Sequence, residues 1–195
     1  MFRTLKTTLT ALTVSAALLV PALAAAGPAG DAVKARRTEM VAKLKEGAGA
    51  DRDKKVAAIV AQMFDFDAMA RSSLGKHWDD LSDAQKAEFS DLLKQLVQRS
   101  LEKNVRETMK YDVDWTSEEA GDNGTLVKSK AKKSAKDDPI AIDYLLHDAG
   151  GWRVIDIVTE GSSMVGTYRS QFRRILEKDG YDALIKKMKA KLKKG

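Results

Sequence analysis

The chain has 195 residues, 44% hydrophobic and 32% charged, which suits one globular domain with tails. It has no Cys and only two His, so disulfides and thiolate metal sites are excluded and an imidazole cluster has little to draw on. The formal charge of +6 is mild and mixed along the chain. It fits contact with anionic surfaces, but basic runs lack the interleaved aromatics of a nucleic-acid reader.

Residues 1–24 read as an export signal. Arg3 and Lys6 make a charged start, residues 7–20 are apolar or small, and Pro21 precedes small residues that allow cleavage after Ala24 or Ala26. The apolar run is shorter than the roughly 20 residues of a spanning helix, so export with cleavage is preferred to an anchor. Losing Arg3 and Lys6 leaves +4.

After the spacer at residues 27–30, Asp31 caps a first predicted helix with Val33, Met40, Val41 and Leu44 as its apolar stripe. Gly47 and Gly49 end it. Asp51 or Asp53 starts a second helix with Val56, Ile59, Val60 and Met63 facing inward. A dense apolar set follows: Phe64, Phe66, Met69, Leu74 and Trp78. Ser82 with Gln85 forms a capping box that opens a long helix near residues 83–108. Its stripe is Phe89, Leu92, Leu93, Leu96, Val97, Leu101 and Val105, and its other face is charged.

Four strands are predicted next. Tyr111, Val113 and Trp115 alternate with acids. Residues 122–124, Asp-Asn-Gly, signal a turn into a weaker strand over 126–133, with Lys128, Lys130 and Lys132 on one face. Ile140, Ile142, Tyr144 and Leu146 alternate in the third strand. Gly150-Gly151 turns into the fourth, residues 152–159, which is rich in β-branched residues and apolar on both faces. Ser162 or Ser163 then caps a helix whose stripe is Met164, Val165, Tyr168, Phe172, Ile175 and Leu176. It ends near Asp179-Gly180, and a last helix carries Tyr181, Leu184, Ile185, Met188 and Leu192. Short connections imply an antiparallel meander, and the order helices, strands, helices implies an α+β domain over 31–192 with a basic tail at 193–195.

These residues carry a resemblance. Residues 64–71 (FDFDAMAR) and 74–78 (LGKHW), then 81–85 (LSDAQ) with Phe89, form one signature. Tyr144, residues 151–157 (GWRVIDI), Glu160-Gly161 and 163–165 form a second. Residues 168–172 (YRSQF) and 180–185 (GYDALI) close it. In this order and spacing the chain resembles the MlaC family, also called toluene-tolerance proteins, over 31–192. One departure is Ser162, where the family usually has an aliphatic residue. At a pocket lip its hydroxyl either meets a headgroup or caps the helix.

The resemblance implies a curved four-stranded antiparallel sheet, wrapped by N- and C-terminal helices in a cone-shaped, NTF2-like architecture around an apolar pocket. It implies a periplasmic phospholipid carrier without catalysis or metal, with lipid as cargo rather than cofactor. The implied partners are an outer-membrane lipoprotein complex and an inner-membrane ABC transporter with an MCE-domain subunit. The implied role is maintenance of outer-membrane lipid asymmetry, and a shuttle works best as a monomer.

Lipid carriage needs a cavity more than reactive groups. A methylene left in water costs about 0.8 kcal/mol, so two uncovered acyl chains cost roughly 20 kcal/mol or more. The candidate lining from the helices is Phe64, Phe66, Met69, Trp78, Leu93, Leu96, Val97 and Leu101. The sheet adds Tyr144, Trp152, Val154 and Val158, and the lid adds Ser163, Met164, Tyr168 and Phe172. On periodicity alone the same residues suit a closed core. A periplasmic binding protein for another apolar ligand, such as a fatty acid, hopanoid or quinone, is the alternative. A ketosteroid-isomerase-like enzyme using Asp156 or Glu160 with Tyr168 is a weaker one. Asp65 and Asp67 read as caps or solvated groups, and His77 and His147 as structural or solvated. The lysines over 128–136 and 186–194 read as a solvated face or a transient contact for anionic headgroups or an acidic partner.

Overall fold

The structure, a computed structural model, describes residues 27–194; the expected signal segment at 1–24 lies outside them. Four helices come first. α1 (Pro28–Lys45) starts one turn before Asp31, because Pro28 has the φ of a first helical turn and no N–H to satisfy. Asp31 instead sits in that first turn, where its charge faces the positive end of the helix. α2 (Ala50–Met63) follows Gly49, with Asp51 and Asp53 both in its first turn. Its inward Arg52 is paired with Asp53 and lies 3.6 Å from Glu102 of the long helix.

α3 (Phe66–Leu74) is capped by Asp65, whose Oδ1 accepts the Ala68 N–H at 2.8 Å, and it stops at Gly75. A 3-10 turn (Gly75–Trp78) leads to α4 (Asp83–Thr108). The capping box is present in full: Gln85 N–H donates to Ser82 Oγ at 3.3 Å, and Ser82 N–H donates to Gln85 Oε1 at 3.0 Å.

The sheet is an antiparallel meander of β1 (Asp112–Gly121), β2 (Gly124–Lys132), β3 (Ile140–Asp148), β4 (Trp152–Thr159) and β5 (Ser162–Ser163), in that spatial order. Two features differ from the sequence reading. β1 runs on through residues 116–121, because Ser117 to Gly121 pair with β2; a bulge between Trp115 and Ser117 resets the register. The chain also folds back after Gly161 to add the two-residue β5 on the edge of β4, so the four expected strands are joined by a fifth. At the β1–β2 turn Gly124 holds φ +129°, and a Cβ there would lie 2.3 Å from the Leu146 carbonyl oxygen.

One face of β2 carries Thr125, Val127, Ser129 and Ala131, all buried; the other carries Lys128, Lys130 and Lys132. α1, α2, α3, α4 and the final helix α5 (Met164–Lys194) supply most of the rest of the buried core, joined by Phe64, Trp78, Leu146 and Val154. α5 breaks at Gly180, where φ is 80°, so it is two helical segments, as the Asp179-Gly180 signal predicts. Among the described residues no helix is long and apolar enough to cross a membrane.

Candidate functional site

The cover is incomplete over the strand ends. There α1, the end of α2 and the last turns of α4 stand off the sheet and leave a cavity of about 240 Å³. The sheet side is Val113, Ser129, Ala131, Ile140, Ile142, Tyr144, Ile157 and Thr159. The helices contribute Met40, Met63, Leu101 and Val105, together with the polar Arg37, Asn104 and Glu107. The inner residues Met40, Met63, Leu101 and Ala131 are buried, whereas Asn104, Glu107 and Thr159 are exposed and Arg37 half-buried. The space therefore grades from an apolar inner wall to a polar rim.

Most of the lining needs no hydrogen bond. Ser129 is the exception deep on the sheet, and it is satisfied there. Its hydroxyl donates to the Ile142 carbonyl, and its N–H donates to Asp143 Oδ1 at 3.2 Å. Desolvation pushes the Tyr144 phenol above its ordinary value; the Arg37 cation opposes the shift and Asp143 adds to it. Tyr144 also stacks at a tilt on Trp115, with ring centroids 5.8 Å apart.

Of the residues singled out from sequence, Leu101 and Tyr144 line this cavity. Phe64 and Phe66 stack at 5.9 Å and border a different, open cleft with Asp65, Asp67, Lys94 and Arg153. Met69, Trp78, Leu93, Leu96, Val97, Val154 and Phe172 are buried in the core, and Trp152, Met164 and Tyr168 pack partly buried against it. Tyr168 stacks on Phe172 at 5.3 Å, and Phe172 meets Phe89 edge-on at 5.4 Å. Val158 lies on the face of β4 opposite the lining residues Ile157 and Thr159. The cause is a bulge: Leu146 pairs with Val154 but Leu145 pairs with Asp156, so the inward phase passes from Val154 to Ile157.

Ser163 ends its strand as the cap of α5, accepting the Gly166 N–H at 2.8 Å. The departing Ser162 is exposed and pairs with Thr159 across β4–β5. Asp156 is committed to the same junction. It accepts the Val165 N–H at 2.9 Å, the Ile157 N–H at 2.8 Å and the Ser163 hydroxyl. Asp65, besides capping α3, lies 2.9 Å from His147 Nε2.

Sequence reasoning did not single out Arg37, Asn104 or Glu107. A signal was present: Arg37 falls between Val33 and Met40 on the apolar stripe of α1, and Asn104 follows Leu101 by three on that of α4.

The fold and site define a class: one open antiparallel sheet under helices, with an apolar cavity between the layers and a polar rim. The chain belongs to the MlaC family, described as MlaC protein, which matches residues 34–190. Among solved structures it is similar to the phospholipid-binding protein from Ralstonia solanacearum in complex with a phospholipid. The TM-score is 0.74 at 22% identity, covering 86% of this chain and 100% of that one. At that identity the likeness carries the fold. No curated protein matches the sequence.

Proposed function

We propose that this protein is a soluble periplasmic phospholipid carrier. It shuttles lipid between an outer-membrane lipoprotein complex and an inner-membrane ABC transporter with an MCE-domain subunit, and so maintains outer-membrane lipid asymmetry. The observation that carries this reading is the apolar, polar-rimmed cavity of a chain in the MlaC family. The Ralstonia protein of the same fold is itself in complex with a phospholipid. The use of two carboxylates supports a binding role: Asp156 holds the start of α5, and Asp65 caps α3 and meets His147.

The cavity of about 240 Å³ is below the roughly 300–1,000 Å³ of ordinary small-molecule sites. A two-chain lipid therefore enters only if α1 and the end of α4 move away from the sheet. Met40 of α1 and Met63 at the end of α2 suit such a change, since an unbranched thioether repacks at small cost. The same volume favours a second reading, a single-chain ligand such as a fatty acid.

The test is native mass spectrometry of the protein purified from its own periplasm, followed by organic extraction. A phospholipid mass released on extraction supports the carrier. A single-chain mass selects the second reading. An empty protein that takes nothing from liposomes overturns both.

A further inference from the structure

An apolar cavity gains nothing from a guanidinium in its wall. At 37, between Val33 and Met40, the stripe of α1 calls for Leu or Met, and the sequence has Arg. Arg37 lines the cavity and its charge reaches the phenol of the half-buried Tyr144. On the facing helix, Asn104 takes the stripe position after Leu101, and Glu107 stands one turn further on. Two stripes thus turn polar at the same end of one cavity. That coincidence is what a ligand with long apolar chains and a charged head requires.

We infer that Arg37 and Asn104 seat the phosphate of the cargo, and that Glu107 receives the headgroup ammonium, so that the preferred cargo is a zwitterionic glycerophospholipid. The inference rests on the carrier reading. Arg37 brings N–H donors in a planar fork whose geometry matches two phosphate oxygens. Asn104 adds an amide donor. Glu107 lies 4.0 Å from Lys103, both exposed, a pairing too weak to hold the carboxylate from a better cation. Its negative charge also disfavours a headgroup with no amine to cancel the phosphate. The chains would lie inward, along Met40, Leu101 and Ala131.

The experiment loads the full mature chain from vesicles of equal phosphatidylethanolamine and phosphatidylglycerol and reads bound lipid by native mass spectrometry. The variants are Arg37→Met, Arg37→Lys and Glu107→Gln. Arg37→Met keeps an apolar side chain on the stripe, and bound lipid falls about tenfold in the folded variant. Arg37→Lys recovers part of the loss. Glu107→Gln shifts the bound ratio several-fold toward phosphatidylglycerol. Excess inorganic phosphate leaves the lipid in place; displacement by it would mark a free-anion site and overturn the assignment. Wild-type uptake with unchanged amounts and ratio in the variants overturns this inference alone. No uptake by the wild type overturns the carrier reading with it.

Discussion

Asp156 Oδ1 accepts the backbone N–H of Val165 at 2.9 Å, joining β4 to the first turn of α5. The carboxylate is 9% exposed and also receives the Ile157 N–H and the Ser163 hydroxyl. A negative group at a helix start is stabilised by the orphan N–H groups and the helix dipole. Asp156→Ala leaves those donors buried without a partner. A loss of about 3 kcal/mol is expected, read as a lower urea midpoint. A midpoint within error of wild type would mean that Ser163 alone holds the junction.

Ala131 has no exposed surface and stands on the cavity floor. Ala131→Met grows into existing space rather than into packed atoms. Ligand uptake is expected to fall sharply while the melting temperature changes little, because overpacking costs arise where no void exists. Uptake at wild-type level would show that the cargo lies elsewhere.

The wall α1 is held at its N-terminal end by β1. The Gly30 N–H donates to Glu118 Oε2 at 2.8 Å, and Gly27 lies so close that a Cβ would come 2.6 Å from the same carboxylate. Glu118→Ala frees that end. If α1 must swing for a lipid to enter, transfer between vesicle populations is expected to speed up several-fold. An unchanged rate would leave the end of α4 as the moving wall.

Tyr181 donates its hydroxyl to the Gln85 carbonyl at 2.7 Å, tying the last helical segment to the start of α4. Desolvation first, then the Glu88 carboxylate, pushes its pKa up to about 12. The folded protein therefore holds this proton where the unfolded chain, near 10, has released it. The contribution is full below pH 10 and is lost as pH rises toward 12. Burial of Tyr144 and Tyr168 acts in the same direction. Tyr181→Phe should flatten the alkaline fall in stability between pH 10 and 12 without removing it. An identical slope in the variant would assign the effect to the other two.

Local signals in the sequence carried far. The Ser82–Gln85 box and the break at Gly180 depend on contacts within a few residues, and the meander on short turns between strands; each stands where its local chemistry places it. The cavity depends on something else. Leu93, Leu96, Val97 and Leu101 share one stripe of α4, yet the first three are buried in the core and Leu101 alone of these borders the space. Nothing along the stripe distinguishes them, because the difference is how far the sheet lies beneath each turn.

The phase of β4 was hidden for a related reason. Alternation from Trp152 points to Val158, but the bulge opposite Leu145 and Leu146 turns Ile157 inward. A bulge is settled by pairing with another strand, and one strand read alone does not contain it. The sequence by itself determined the helices and four of the strands, their order, the family signature and the two apolar stripes that Arg37 and Asn104 interrupt. Only the tertiary structure decided that those interruptions meet at one cavity, because helix periodicity says which side a residue faces and nothing of what stands opposite.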